Sequence, residues 1–219
     1  MEISMENVNE QERRLIRFGF DDDSLYSLIQ TAAAAISEKI PHISLESHCL
    51  NSEEIQSAIL KGDIDIGFTS FFARNKNLTY ISVSENEIDL VVSKNHPLSR
   101  YSYRQEGQQN LRVSLQELPK DTEFLLMREG YVLRQRVDHY MATHQWTPRV
   151  PTTYFRLDML GKILSENQSL VGFCPRNRVF PELSYIALDP PFFHTRGICY
   201  SKGKQLGAAE KILIDLLQK

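Results

Sequence analysis

Two polar stretches stand where chemistry would need them: Asp21, Asp22, Asp23 and Ser24 in one, Thr69 and Ser70 in the other. Each directly follows an apolar run, which places it at the carboxyl end of a strand, where open α/β sheets bind ligands. The three carboxylates have two readings: they complement the positive end of the helix that follows, or they face a ligand with an amine, several hydroxyls or a bound cation. Elsewhere the signals for catalysis fail. His139 and His144 are five positions apart, which puts them on different faces of a helix rather than on one metal, and the other histidines are scattered. No Gly-x-Ser-x-Gly, Walker loop or Gly-x-Gly-x-x-Gly follows the first strand. A binding module is therefore favoured over an enzyme, and no catalytic residue, metal site or cofactor is assigned.

Composition narrows the class further. The 219 residues are 42% hydrophobic and 24% charged, which describes a soluble globular protein with one large domain or two small ones. A net charge of −3 without a basic cluster argues against direct DNA binding by this chain. Cys49, Cys174 and Cys199 are odd in number and lack metal or redox spacing, so they read as free, mostly buried thiols in a reducing cytoplasm. No apolar run is long enough to cross a bilayer, and Met1 to Arg14 lacks a signal-peptide core. Residues 1–14 are polar and read as a tail or linker remnant.

The polar stretches must be held by regular elements. Leu15 to Phe20 is the first strand, with Gly19 allowing close backbone approach. Ser24 is a candidate N-cap for a helix whose stripe is Leu25, Leu28, Ile29, Ala32, Ala33 and Ile36, and Pro41 stops it soon after Lys39. Ile43 to His48 is strand-like. Asn51 and Glu54 form a capping-box signal, Ile55, Ala58 and Ile59 give one apolar stripe, and Gly62 is the expected C-cap. Ile64, Ile66 and Phe68 follow as a strand, completing a strand, helix, strand unit.

That run, Glu-Glu-Ile-Gln-Ser-Ala-Ile-Leu-Lys-Gly-Asp-Ile-Asp-Ile-Gly-Phe from Glu53 to Phe68, resembles the L-x-x-G-x-L-D-L-A-I junction in the effector-binding domain of LysR-type transcriptional regulators. After two more strands, Leu78 to Val83 and Ile88 to Val92, comes His96-Pro97-Leu98, which resembles the point where such domains leave their first lobe. The ending, a strand, then Lys202-Gly203 and a helix from Leu206 to Leu217, is also similar to the family.

In the second half, Tyr101 to Arg112 lacks a period and reads as an irregular loop, and Leu115 to Lys120 as a short segment. Phe124 to Met127 is a strand, Arg128 to Tyr131 a loop, and Val132 to Thr143 a helix. Val150 to Thr153 leads into a helix from about Tyr154 to Glu166. Leu170 to Pro175 is a buried strand, and Tyr185 to Leu188 and Gly197 to Ser201 are strands that return toward the first lobe. This half departs from the family at Glu129-Gly130-Tyr131, where a glycine-rich loop is usual. It departs again at Asn167 to Pro175, which lacks the glycine pair of G-x-G-I-x-x-L-P.

The resemblance implies a two-lobed α/β fold of the type 2 periplasmic-binding-protein kind, each lobe a mixed, mostly parallel sheet flanked by helices. Lobe I is residues 15–94 plus 178–219, lobe II is 95–177, and two crossing segments join them as a hinge. It implies a small-molecule effector in the interlobe cleft, touching Asp21, Asp23, Ser24, Thr69 and Ser70 from one side and Gly130, Tyr131, Thr153 and Tyr154 from the other. It also implies a cytoplasmic protein whose DNA contacts come through an N-terminal helix-turn-helix domain that the residues before Leu15 are too few to form. Pairing would be a homodimer through Leu25 to Lys39 and Val132 to Thr143, with a tetramer in the full-length form. The alternatives are a solute-binding protein of a transport system and, more distantly, an enzyme of the same fold, such as a deaminase-like or prephenate-dehydratase-like protein.

Overall fold

The computed structural model describes residues 14–22, 25–103 and 111–218. The expected tail falls almost wholly outside these residues, as do Asp23, Ser24 and most of the irregular loop. The elements run β1 (Arg14–Phe20), α1 (Tyr26–Lys39), β2 (Ile43–Cys49), α2 (Ser52–Lys61), β3 (Ile66–Ser70), β4 (Leu78–Ser93), β5 (Arg112–Val113) and β6 (Glu123–Met127). Then come α3 (Val132–Thr143), β7 (Arg149–Tyr154), α4 (Met159–Glu166), β8 (Leu170–Pro175), β9 (Leu183–Leu188), β10 (Phe193–Ser201) and α5 (Ala208–Leu217).

The sheet runs β2-β1-β3-β10-β4-β8-β6-β7, with β9 on β4 and β5 on β9. In the first lobe β1 lies parallel to both β2 and β3, and β10 lies antiparallel to β3 and β4. Ile16, Phe18 and Phe20 alternate onto one face and pack under α1 and α5. Gly19 and Gly67 point to the other face, where α2 lies so close that a Cβ on Gly67 would come within 2.5 Å of Ile55. α2 is set locally as its sequence suggests. The Asn51 side chain accepts from the amides of Glu53 and Glu54, the Glu54 carboxylate accepts from the Asn51 amide, and Gly62 ends the helix at φ 82°.

The second lobe is a sheet of β9, β4, β8, β6 and β7 with one core that includes Leu90, Phe124, Tyr154, Leu160 and Phe173. Several sequence expectations change here. The two strands foreseen at Leu78 to Val83 and Ile88 to Val92 are one strand of 16 residues, β4. No glycine or proline interrupts it, and its first part pairs with β10 while its last part pairs with β8 and β9. It is thus a crossing segment. Of the two later strands only β10 returns to the first lobe, because β9 is held by the end of β4 and by β5. Ile88, Leu90 and Leu183 accordingly sit in the second core. The segment expected to enter a helix near Tyr154 is instead β7, parallel to β6, and α4 begins only at Met159. β-branched Val150, Thr152 and Thr153 favour the strand, and the pairing with β6 decides it.

Candidate functional site

The carboxyl ends of β1, β2, β3, β6, β7 and β8, with the beginnings of α2 and α3, face one another across the crossing strands β4 and β10. They enclose a cleft of about 740 Å³ including its open mouth. The lobes also touch beside it. Gln135 of α3 donates to Glu53 of α2, Phe72 packs under the Arg136 guanidinium at 4.6 Å, and Gly130 at φ 90° brings its backbone against Asn51.

Asp21 anchors the first wall. Its carboxylate accepts from the Ser52 hydroxyl (2.9 Å), the Thr69 hydroxyl (2.7 Å), the Ser70 amide (3.1 Å) and the Arg196 guanidinium (2.9 Å). Four donors on one buried carboxylate satisfy its charge without solvent. Asp22 accepts from Arg196 at 2.9 Å and from Arg178, three residues past the end of β8, at 3.2 Å, so an ion pair ties the end of β1 to the chain after β8. Arg196 also lies 4.9 Å from the centre of the Phe68 ring. His194, two residues earlier on β10, lines the cleft while only 6% exposed, and among the described residues neither ring nitrogen has a hydrogen-bond partner. Burial, reinforced by Arg196, lowers its pKa to about 3, so the imidazole is neutral at physiological pH.

The second wall is more apolar. Met127, Val132, Leu133, Phe155 and Leu157 contribute to it, and Tyr131 adds a phenol whose pKa burial pushes up. Arg156 and Asp158 form an ion pair at 2.9 Å in the segment between β7 and α4. The three cysteines are free and mostly buried, as expected: Cys174 and Cys199 are buried, while Cys49 is exposed and lines the cleft. Among the described residues no group of His, Cys, Asp or Glu is arranged to hold a metal ion.

Of the residues singled out from sequence, Asp21, Ser70 and Tyr131 line the cleft, and Thr69 reaches it through its bond to Asp21. Thr69 and Ser70 are the buried end of β3 rather than a loop, since β10 pairs alongside both. Gly130 lies beside the cleft against Asn51. Thr153 is exposed on β7 and Tyr154 is buried in the second core, where desolvation raises its pKa; neither lines the cleft. Their neighbours Phe155 to Asp158 line it instead, because β7 continues through Tyr154 before the chain turns. Asp23 and Ser24 lie outside the described residues. Sequence reasoning missed Arg178, His194 and Arg196. A signal existed for two of them: His194 and Arg196 alternate on a strand, which puts both on one face.

A family model described as the LysR substrate binding domain matches residues 9–219. Among solved structures, the effector-binding domain of QuiR in complex with shikimate superposes with a TM-score of 0.74 at 16% identity, covering 93% of this chain and 95% of that one. The CcmR regulatory domain of Synechocystis PCC6803 in complex with 2-PG gives 0.74 at 17% identity, over 93% and 95%. The BenM effector-binding domain with benzoate gives 0.70 at 17% identity, over 94% and 90%. Identities this low speak for the fold, and the family model carries the assignment. Since that model matches through both lobes and the cleft they enclose, the chain belongs to the LysR substrate binding domain family.

Proposed function

We propose that this domain senses a small-molecule effector in the interlobe cleft and passes its occupancy to DNA binding by a LysR-type regulator. The observation that carries the reading is the cleft itself, walled by strand ends and helix starts of two lobes that are joined through β4 and β10. A ligand touching both walls binds the closed arrangement better than an open one, and that difference is what shifts a conformational equilibrium. Family membership favours a regulator over a solute-binding protein of a transport system. The related domains of QuiR, CcmR and BenM were solved with shikimate, 2-PG and benzoate, which supports an organic metabolite as effector. The contacts we assign to it are Ser70, Tyr131, Phe155 and His194, with Asp21, Arg178 and Arg196 holding the walls; the domain turns over no substrate and works in the cytoplasm.

A thermal-shift screen of metabolites tests the reading. A ligand that binds only the folded state at a hundredfold excess over Kd stabilises it by about 2.7 kcal/mol, and Phe155→Ala should reduce that gain. Hits whose stabilisation is indifferent to Phe155→Ala and Tyr131→Ala would place binding elsewhere. We also propose pairing through α1 and α3. Tyr26, Gln30 and Ala34 form an exposed flank of α1, away from buried Ile29, Ala32 and Ile36, and small enough at Ala34 for another helix to approach. Ala34→Arg should weaken self-association in sedimentation and leave the fold intact; a wild-type chain monomeric at high micromolar concentration would exclude the pairing.

A further inference from the structure

We infer that Asp21 is a built-in anion of the cleft. Its carboxylate occupies the donor set formed by Ser52, Thr69, Ser70 and Arg196, which selects for an uncharged effector whose polar group meets His194. The inference deepens the effector reading and rests on it. The end of β1, the first turn of α2 and the end of β3 converge with two hydroxyls, one backbone amide and one guanidinium, all aimed at one point. Such a set would hold the carboxylate or phosphate of a ligand. Here the chain supplies the anion itself, and the Asp21 side chain is only 6% exposed.

Among the described residues, the rest of the lining leaves no cation to spare. Asp21, Asp22 and Asp158 face Arg156, Arg178 and Arg196, and every one of these guanidiniums already meets a carboxylate. An anionic effector would have to displace a carboxylate or lie against one in a partly desolvated site, and a cationic one would have to displace an arginine. An uncharged molecule does neither and can spread over Phe155, Leu157, Val132 and Leu133. His194 supplies the second observation. It is more than nine-tenths buried, lines the cleft and leaves both ring nitrogens unpartnered among the described residues, a state that a ligand hydroxyl or amide would relieve. As a neutral imidazole it offers one donor and one acceptor, which suits a hydroxyl or amide better than a carboxylate.

The test uses the domain with formate and benzoate as probes, and sodium chloride at equal ionic strength as the control. In Asp21→Ala the vacated donors take up a free carboxylate, so formate raises the melting temperature saturably, and adding Arg196→Ala removes the rise. The wild-type protein gains nothing from formate or benzoate beyond the salt control. An Asp21→Ala protein that folds yet ignores formate overturns the inference. So does saturable benzoate binding to the wild type that Arg196→Ala abolishes, an arm that decides the matter if Asp21→Ala does not fold. In the metabolite screen, uncharged hits should lose affinity in His194→Phe. An anionic hit in the wild-type cleft would remove this inference and leave the effector reading standing, whereas a screen with no cleft binder of any charge would count against that reading while the formate response still reports on Asp21.

Discussion

Asp21 and Asp89 are both buried carboxylates held by arginine, yet they belong to different kinds of site. Asp89 lies on β4 just past the point where that strand enters the second lobe. It is 0% exposed, accepts two bonds from Arg176 and a third from the Tyr103 hydroxyl, and does not line the cleft. Arg176 also meets Glu87, and Glu87 meets Arg112, so the network ties β4 to the chain after β8 and to β5. Asp21 has four donors, but its network opens onto the cleft and stands beside an imidazole without partners among the described residues. In the first network the carboxylate is sealed from solvent and its charges meet one another, with Arg176 and Arg112 reaching the surface, which suits a joint; in the second, paired charges lie next to a neutral imidazole without partners among the described residues, which suits a ligand.

Breaking the first network should have the largest effect. Asp89→Ala takes the buried carboxylate from Arg176 and from the Tyr103 hydroxyl, while Arg176, 36% exposed, keeps Glu87; the loss should be roughly 3 kcal/mol, the low end for a buried pair, read as a drop in the urea midpoint. Asp21→Ala should lose less, roughly 2 kcal/mol, because water or an added anion can enter from the cleft and satisfy the freed donors. Equal losses at the two positions would erase the distinction between joint and ligand site.

Acid should expose the same contrast. The folded-state pKa of His194 is depressed from 6.5 to about 3, so the unfolded chain takes up a proton that the folded domain refuses. Its contribution to stability is full above pH 6.5 and is lost as pH falls below it, by about 1.4 kcal/mol per unit once well below that value. The groups acting on it are Arg196, Asp21, Arg136 and Asp22, which belong to β10, the end of β1 and α3. His194→Phe should flatten the stability profile between pH 6 and 5, and an unchanged slope would show that the imidazole is solvated. The smallest effect concerns Cys49. It should be the thiol labelled by iodoacetamide in the folded domain, since Cys174 is buried and burial pushes the Cys199 pKa up to about 12. A cleft ligand should slow that labelling, and equal labelling of all three thiols would mean the lobes open widely.

What the chain determined on its own was local. The Asn51 and Glu54 box, the Gly62 cap, the span of α3 and the buried strand from Leu170 to Pro175 all depend on residues within a few positions of one another, and the sequence pattern located each of them. The acids after β1 and the hydroxyls after Phe68 were also legible as the end of a strand. Tertiary structure decided whatever depended on distant partners. β4 is one strand rather than two because β10 continues along its first part and β8 and β9 along its last. Val150 to Thr153 is a strand because β6 offers an edge, and that pairing moves the cleft wall from Thr153 and Tyr154 to Phe155 and its neighbours. The charge of the site, above all, could not be read from three consecutive aspartates. Arg178 and Arg196 lie more than a hundred and fifty residues from Asp22, and only folding brings them close enough to turn an acidic run into a neutral wall.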